Sequence, residues 1–203
     1  MKKNCKLIFL ITISLFLTNL SFAKEIRTRF GFFINLPDDF IAIQDQNIGE
    51  LMNAYEGSEL DKEFFNEFMA GSTKDDMNIE YYFPEKFDPK TNSININYQT
   101  DTSLNEIIGQ VNLNTEVCPY YLQVYKELFK KNIKQYYCKL NNNFKNKYKN
   151  VINIKHDGPA KGTYMIQYQF DVKRKMVTLT IGCQPKNCNY MEKVGTDIIK
   201  SIN

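Results

Sequence analysis

The sequence predicts an α+β protein: an α/β/α sandwich with a largely antiparallel sheet and a C-terminal helix packed on it. The first observation is a succession of three strand patterns in the last third of the chain, at residues 151–156, 163–171 and 176–183, joined by short turns. The second is the amphipathic stripe that follows them, Met191, Val194, Ile198 and Ile202, which needs a sheet to cover it. The third is the mixture of strand and helix patterns upstream, which is typical of sandwiches.

The first half of the chain predicts strands that alternate with helices. Strands are indicated by apolar or alternating patterns, and helices by apolar residues at the i, i+3, i+4, i+7 spacing. The expected strands are residues 29–37, 40–43, 80–83 and 94–98, and the expected helices are residues 48–55 and 59–70. Ser103 and Glu106 match a capping box at the start of a short helix. Pro119 suits the first turn of the next helix.

The first 23 residues have the pattern of a secretory signal peptide. Three lysines precede an apolar run at residues 7–17, and Ser21 and Ala23 supply small residues for cleavage after Ala23. The run is too short to span a membrane, and Cys5 precedes it, so Cys5 cannot be the acylated cysteine of a lipoprotein. We therefore expect residues 24–203 to form a single globular domain that is periplasmic or secreted, with no transmembrane segment after cleavage.

The charge of the mature chain is divided between its halves. Residues 24–110 carry a net charge of −10 and residues 111–203 a net charge of +10, so the mature chain is neutral. The basic pI of the precursor therefore does not indicate a nucleic-acid partner, and export argues against one. Two interpretations remain: the halves neutralise each other in the fold, or the basic half presents a surface to a partner.

Four cysteines remain after cleavage, and in an exported chain they indicate two disulfides with three possible pairings. Cys183 and Cys188 enclose a turn-forming loop and can approach each other. Cys118 can pair with Cys138 only if the helix after Pro119 stops near Asn132, because the chain could not otherwise return. His156 is the sole histidine and there is no C-x2-C motif, so we expect no metal site and no cofactor.

The segment 126–149 is the best candidate for a binding surface. It holds eight lysines interleaved with tyrosines, and Glu127 is its sole acid. The residues of the expected binding strip are Lys126, Lys130, Lys131, Lys134, Tyr136, Tyr137 and Lys139. Outside the cytosol, such a strip would meet an envelope protein or an anionic polymer or lipid of the envelope. The alternative is that these lysines only cover the rim of an aromatic core.

Both ends of the mature chain resemble the PsbP-like family. Residues 30–40, FGFFINLPDDF, resemble its first strand and the Pro-x-x-aromatic that follows. The strand at 176–183 and the closing DIIKSI at 197–202 resemble its last strand and final helix. The resemblance implies a sandwich fold and a non-enzymatic binding or accessory role. It implies no catalytic residue, because the family shares none.

Two other functions stay open in the sequence. A carboxylate-based secreted hydrolase would need two acids in one pocket, with candidates at Asp38-Asp39, Asp75-Asp76 and in the acidic helix at 59–67. An immunity or inhibitor protein would use the acidic first half to block a toxin. His156 could serve neither Ser-His-Asp nor Cys-His chemistry convincingly, and we expect it at the surface beside a turn.

Overall fold

The computed structural model describes residues 23–43, 78–88 and 91–203. The signal peptide up to Phe22, the two helices expected at 48–55 and 59–70, and the acidic pair Asp75-Asp76 lie outside the described residues. Among the described residues, no helix has the length and apolar composition that a membrane-spanning helix needs.

Strands and three α-helices make up most of the described chain. The strands are β1 (Ala23–Arg27), β2 (Phe33–Pro37), β3 (Phe40–Ile43), β4 (Ile79–Pro84), β5 (Ser93–Gln99), β6 (Tyr136–Leu140), β7 (Val151–Asp157), β8 (Tyr164–Val172) and β9 (Lys175–Cys183). The helices are α1 (Leu104–Gln110), α2 (Cys118–Phe129) and α3 (Cys188–Ser201). A π-helical turn, Leu113–Val117, precedes α2, and a 3-10 turn, Asn142–Phe144, follows β6.

The main sheet has seven strands in the order β3-β4-β5-β9-β8-β7-β6, and every neighbouring pair is antiparallel. Strands β1 and β2 form a separate two-stranded hairpin. The last three strands and α3 follow each other as the sequence predicted. The predicted α+β class with a largely antiparallel sheet is therefore confirmed.

Helix α3 and the β1–β2 hairpin cover one face of the sheet. The predicted stripe of α3 is buried throughout, with Met191 and Ile198 fully inaccessible to solvent. Gly195 lets the helix lie close to the sheet, because a Cβ there would stand 2.4 Å from the Cδ1 atom of Ile181. Ile34 of the hairpin is also fully buried in this core. Burial of this apolar area is the main stabilising term of the fold.

Helices α1 and α2 cover the opposite face, which completes the α/β/α sandwich. Leu104 and Tyr125 from the helices pack against Ile152, Ile154 and Met176 from the strands. The sheet therefore separates two cores, one under each helical layer. Its two faces present different residues because side chains alternate along each strand.

Two elements differ from the sequence expectation for identifiable reasons. The strand expected at 29–37 begins only at Phe33, since Gly31, with a φ of 83°, reverses the chain between β1 and β2. The helix after Pro119 ends at Phe129, where Lys130 takes a left-handed conformation with a φ of 50°. This early stop leaves the chain enough length to return to α2 through β6. The sequence analysis did not predict that this returning segment is a strand.

Candidate functional site

The candidate site is a groove between helix α3 and the edge of the sheet. Helix α3 packs over β5 and β9, and a cavity of about 580 Å³ lies between its exposed side and residues of β6, β7 and β8. We call this cavity the α3 groove. Its polar and charged lining is Asn141, Asn143, Asn153, Lys155, Asn189, Glu192, Lys193 and Thr196, and its aromatic lining is Tyr137, Phe144 and Tyr168.

Strand register explains why the sheet residues of the α3 groove share one face. Tyr137 lies opposite Lys155, and Lys139 lies opposite Asn153, which in turn faces Tyr168. Residues that lie directly opposite each other in an antiparallel pair point to the same side. The groove thus extends across β6, β7 and β8.

A three-residue polar cluster occupies the α3 groove. The ammonium of Lys155 contacts both carboxylate oxygens of Glu192, at 2.6 and 2.9 Å, and the hydroxyl of Tyr168 donates to the same carboxylate at 2.6 Å. Tyr168 is only 2% exposed. Burial, together with the adjacent carboxylate, raises the pKa of the Tyr168 hydroxyl well above its ordinary value, so that it stays protonated and acts as a donor.

Two disulfides hold the elements that line the α3 groove. Cys118 in α2 is bonded to Cys138 in β6, with 5.8 Å between their Cα atoms. Cys183 at the end of β9 is bonded to Cys188 at the start of α3, with 5.1 Å between their Cα atoms. The edge strand and the helix on the two sides of the groove are therefore each tied to the rest of the fold.

His156 is buried, which corrects the expectation of a surface histidine. It is 1% exposed because Tyr125 of α2 stacks on its ring at 4.3 Å between ring centroids, with Phe129 beside it. Its Nδ1 lies 2.8 Å from the carbonyl oxygen of Asp157, and its Nε2 has no partner among the described residues. Burial lowers the pKa of this imidazole, so its neutral form is favoured.

A second cavity, of about 540 Å³, lies at the end of the sheet where β6 begins, and His156 contributes to its lining together with Lys134 and Met165. It also shares Tyr137 and Lys155 with the α3 groove. Lys134, Tyr136 and Tyr137 of the expected binding strip line this second cavity, and Tyr137 also lines the α3 groove. The other lining residues come from strands and loops that are distant along the chain, and no pattern in the sequence indicated them.

The structure divides the residues of the expected binding strip between the two sides of the sheet. The Tyr136 hydroxyl donates to the backbone oxygen of Cys118 at 2.7 Å, on the α2 side. Tyr137 points to the α3 groove, where the Lys139 ammonium lies 4.9 Å from its ring centroid. This division follows from the alternation of side chains along β6, which the sequence analysis had not identified as a strand.

The remaining lysines of the strip gather at the C-terminal end of α2. Lys126, Lys130 and Lys134 are exposed, and their side chains form no hydrogen bond or ion pair within the described part of the chain. Lys131 differs, because its ammonium donates to the backbone oxygen of Gly158. The Asp157 carboxylate accepts from the backbone N–H of Lys134 at 2.9 Å, which fixes the loop after α2 that carries Lys130, Lys131 and Lys134.

The acidic candidates do not converge in the cavities described above. The Asp39 carboxylate accepts hydrogen bonds from the Lys86 ammonium at 2.5 Å and from the Tyr190 hydroxyl at 2.9 Å. Glu192 is the one carboxylate that lines the α3 groove, and the second cavity has none among its described residues. The described ranges contain no group of three or more potential metal ligands. Asp75, Asp76 and the acidic residues at 59–67 lie outside them.

Comparison with known proteins defines the class to which this architecture corresponds. No family model matches the chain, and no curated protein is similar to it in sequence. Among solved structures, the chain is similar to the solution structure of cyanobacterial PsbP (CyanoP) from Synechocystis sp. PCC 6803. The match covers 92% of this chain and 94% of that one, with a TM-score of 0.52 and 6% sequence identity. The protein therefore has a PsbP-like fold, which agrees with the resemblance at both ends of its sequence.

Proposed function

We propose that the protein is an exported, non-enzymatic accessory domain that binds an anionic partner at the cell envelope. The contact surface in this proposal is the basic end of α2, defined as Lys126, Lys130 and Lys134. The PsbP-like fold supports an accessory role, since the family resemblance implies binding and no shared catalytic residue. The two disulfides support export, because disulfides persist in oxidising compartments outside the cytosol.

One observation carries the choice of surface: Lys126 in the last turn of α2, and Lys130 and Lys134 in the loop that follows, are exposed and have no internal partner in the described part of the chain. Glu127, the acid nearest to them in sequence, instead accepts a hydrogen bond from Gln123 at 2.9 Å. The C-terminal end of a helix favours positive charge, so part of this cluster stabilises α2 itself. The fixed loop means that binding would cost little ordering of the lysine backbone.

Co-sedimentation with an envelope fraction tests the surface directly. The double variant Lys126→Glu/Lys134→Glu should lose most of its sedimentation, and raised salt should weaken the wild type, since exposed charge pairs are screened. Lys131 is left intact because it holds the β7–β8 loop. Lys173→Glu/Arg174→Glu changes the net charge equally at the opposite end of β8 and should sediment as the wild type does. Equal sedimentation of both variants and the wild type would refute this surface.

The nature of the partner follows from two further arms of the same assay. Protease treatment of the envelope fraction abolishes sedimentation if the partner is a protein, and leaves it intact if the partner is a lipid or polymer. Vesicles with anionic headgroups then distinguish a lipid partner from a polymer.

Export has its own test. Mass spectrometry of the mature protein from the periplasmic or secreted fraction should show that it begins at Lys24, and recovery of uncleaved protein from the cytosol would contradict export.

A further inference from the structure

We propose that the α3 groove binds a neutral oligosaccharide, with one sugar ring on Tyr137 and its hydroxyls on the surrounding amide side chains. The groove opens on the α3 side of the sheet, whereas the basic end of α2 lies with the other helical layer. This inference therefore goes beyond the proposed function and does not depend on it. The cavity, about 580 Å³, falls within the range of roughly 300–1,000 Å³ typical of ligand pockets.

Each charged residue of the α3 groove lining has a partner of opposite charge, which favours a neutral ligand, and the Lys139 ammonium, which is not part of that lining, lies against the Tyr137 ring. Lys155 is matched by Glu192 at 2.6 Å, and Lys193 by Asp197 at 2.8 Å. An anion would approach the Glu192 carboxylate and a cation the Lys155 ammonium, so either would meet repulsion as well as attraction. A neutral ligand avoids the desolvation of an additional charge.

The hydrogen-bonding groups of the groove suit hydroxyl-rich ligands. Each asparagine side chain offers both a donor and an acceptor, as each sugar hydroxyl does. The side chains of Asn143 and Asn189 make no hydrogen bond to the described part of the chain, and both are exposed. Asn153 is nearly buried, and its Nδ2 donates to the Gln167 backbone oxygen at 3.2 Å. The Oδ1 of Asn141 likewise accepts from the backbone N–H of Asn143 at 2.9 Å. The groove therefore contains two free amides and two amides that hydrogen bonds hold in place.

Tyr137 supplies the apolar contact that a sugar ring needs. It is 41% exposed although it lies in a strand, and the Lys139 ammonium lies against its ring. One face of a pyranose consists of C–H groups, and an exposed aromatic ring can bury that face while its polar end stays in water. Phe144 adds a buried aromatic wall in the same cavity.

The groove is also held in shape before any ligand arrives. The Cys118–Cys138 bond ties β6, and the Cys183–Cys188 bond ties the start of α3. The Lys155–Glu192–Tyr168 cluster joins β7, β8 and α3 across the floor. Preorganisation of this kind reduces the entropic cost of binding, which matters for saccharides because they bind weakly.

Titration of the isotopically labelled, disulfide-intact protein with neutral trisaccharides tests this site by NMR. The probes are N,N′,N″-triacetylchitotriose and cellotriose, and trigalacturonate is their anionic counterpart. We expect shifts in the side-chain amides of Asn143 and Asn189 with one neutral probe, and weaker binding of trigalacturonate. Tyr137→Ala should lower the affinity about tenfold, the upper range of an aromatic contact. Tyr120→Ala removes a 65% exposed tyrosine of α2 and should leave the affinity unchanged.

Three outcomes would overturn the proposal: no groove shifts with either neutral probe at millimolar concentration, equal affinity in the wild type and a folded Tyr137→Ala protein, or tighter binding of the anionic probe. Asn189→Ala gives a second test on an exposed residue whose replacement should not disturb folding. Each variant is also tested in the other assay: Tyr137→Ala for envelope co-sedimentation, and Lys126→Glu/Lys134→Glu for saccharide binding. These crossed tests show whether the two surfaces act independently, so failure of one proposal can be distinguished from failure of the other.

Discussion

Asp171 of β8, which is distant in sequence from helix α1, caps the N-terminus of that helix. Its Oδ1 accepts from the backbone N–H of Leu104 at 2.6 Å, and its Oδ2 accepts from the backbone N–H of Asn105 at 3.0 Å. The same carboxylate accepts from the Ser103 hydroxyl at 2.7 Å. Ser103 in turn accepts from the N–H of Glu106 at 3.4 Å, which is one of the two hydrogen bonds of the predicted capping box. The backbone N–H groups in the first turn of α1 are thus hydrogen-bonded by a local residue, Ser103, and a distant one, Asp171.

Replacing Asp171 with Asn should destabilise the protein by about 1–3 kcal/mol, because an amide nitrogen would then face N–H donors and leave them unpaired. Urea denaturation followed by circular dichroism measures the change. Asp101→Asn is the matched control: Asp101 is exposed just before α1, and its replacement should change stability by less than about 0.5 kcal/mol. Equal losses in the two variants would contradict the capping role of Asp171.

The buried His156 should make stability fall on mild acidification. Burial holds its pKa in the folded state below the ordinary value of 6.5. Near pH 6.5 the unfolded chain therefore binds a proton at His156 that the folded chain does not bind. The free energy of unfolding declines as the pH drops from 6.5 toward the lower pKa that His156 has in the folded protein. Above pH 6.5 the titration of His156 does not make the stability depend on pH. Among groups near it, Asp157 raises the pKa and Lys131 lowers it, and neither outweighs burial.

Urea denaturation at several pH values between 7.5 and 5 measures this effect. His156→Gln should show a flatter profile over that interval, although its stability at pH 7.5 is expected to be lower. Asp39 and Asp197, whose pKa values are lowered by their lysine partners, lose their contributions only at more acidic pH, below their ordinary value of 3.8. An unchanged slope in the variant would show that another group causes the decline.

The two disulfides should differ in their contribution to stability. The Cys118–Cys138 bond spans 20 residues and the Cys183–Cys188 bond spans 5. Chain-entropy arguments give about 3 kcal/mol for the longer loop and about 2 kcal/mol for the shorter one. Paired Cys→Ala variants, compared by denaturation under non-reducing conditions, measure both. A greater loss from the short loop would mean that its local packing outweighs loop entropy.

Gly195 should tolerate no larger side chain, despite its place in a helix. Gly195→Leu must displace Ile181 and Leu179 and should destabilise the protein by about 1–3 kcal/mol. Gly109→Leu makes the same change in α1, where a Cβ meets nothing within 4 Å, and should be neutral or stabilise by up to about 1 kcal/mol. Thermal denaturation of the two variants provides the comparison. Similar effects would mean that α3 can move away from the sheet.

The strands that the sequence predicted best are those with the strongest alternation. The three strands of the final meander lie within one residue of their expected bounds, because apolar residues recur at every second position under a fully buried face. Strand β6 was missed because its sequence, YYCKL, has little such contrast, and at an edge strand both faces remain partly exposed. Missing it also hid the division of the lysine–tyrosine strip.

Local patterns in the sequence predicted the meander, the amphipathic C-terminal helix and a cap at the start of α1, and they set the condition that the helix after Pro119 must stop early if Cys118 is to reach Cys138. These depend on residue type and spacing over a few turns. The burial of His156 follows from the three-dimensional packing alone, and so does the meeting of Tyr137, Lys155, Tyr168 and Glu192 in one groove. Their proximity depends on the order of strands and the position of α3 on the sheet, and no periodicity along the chain encodes either.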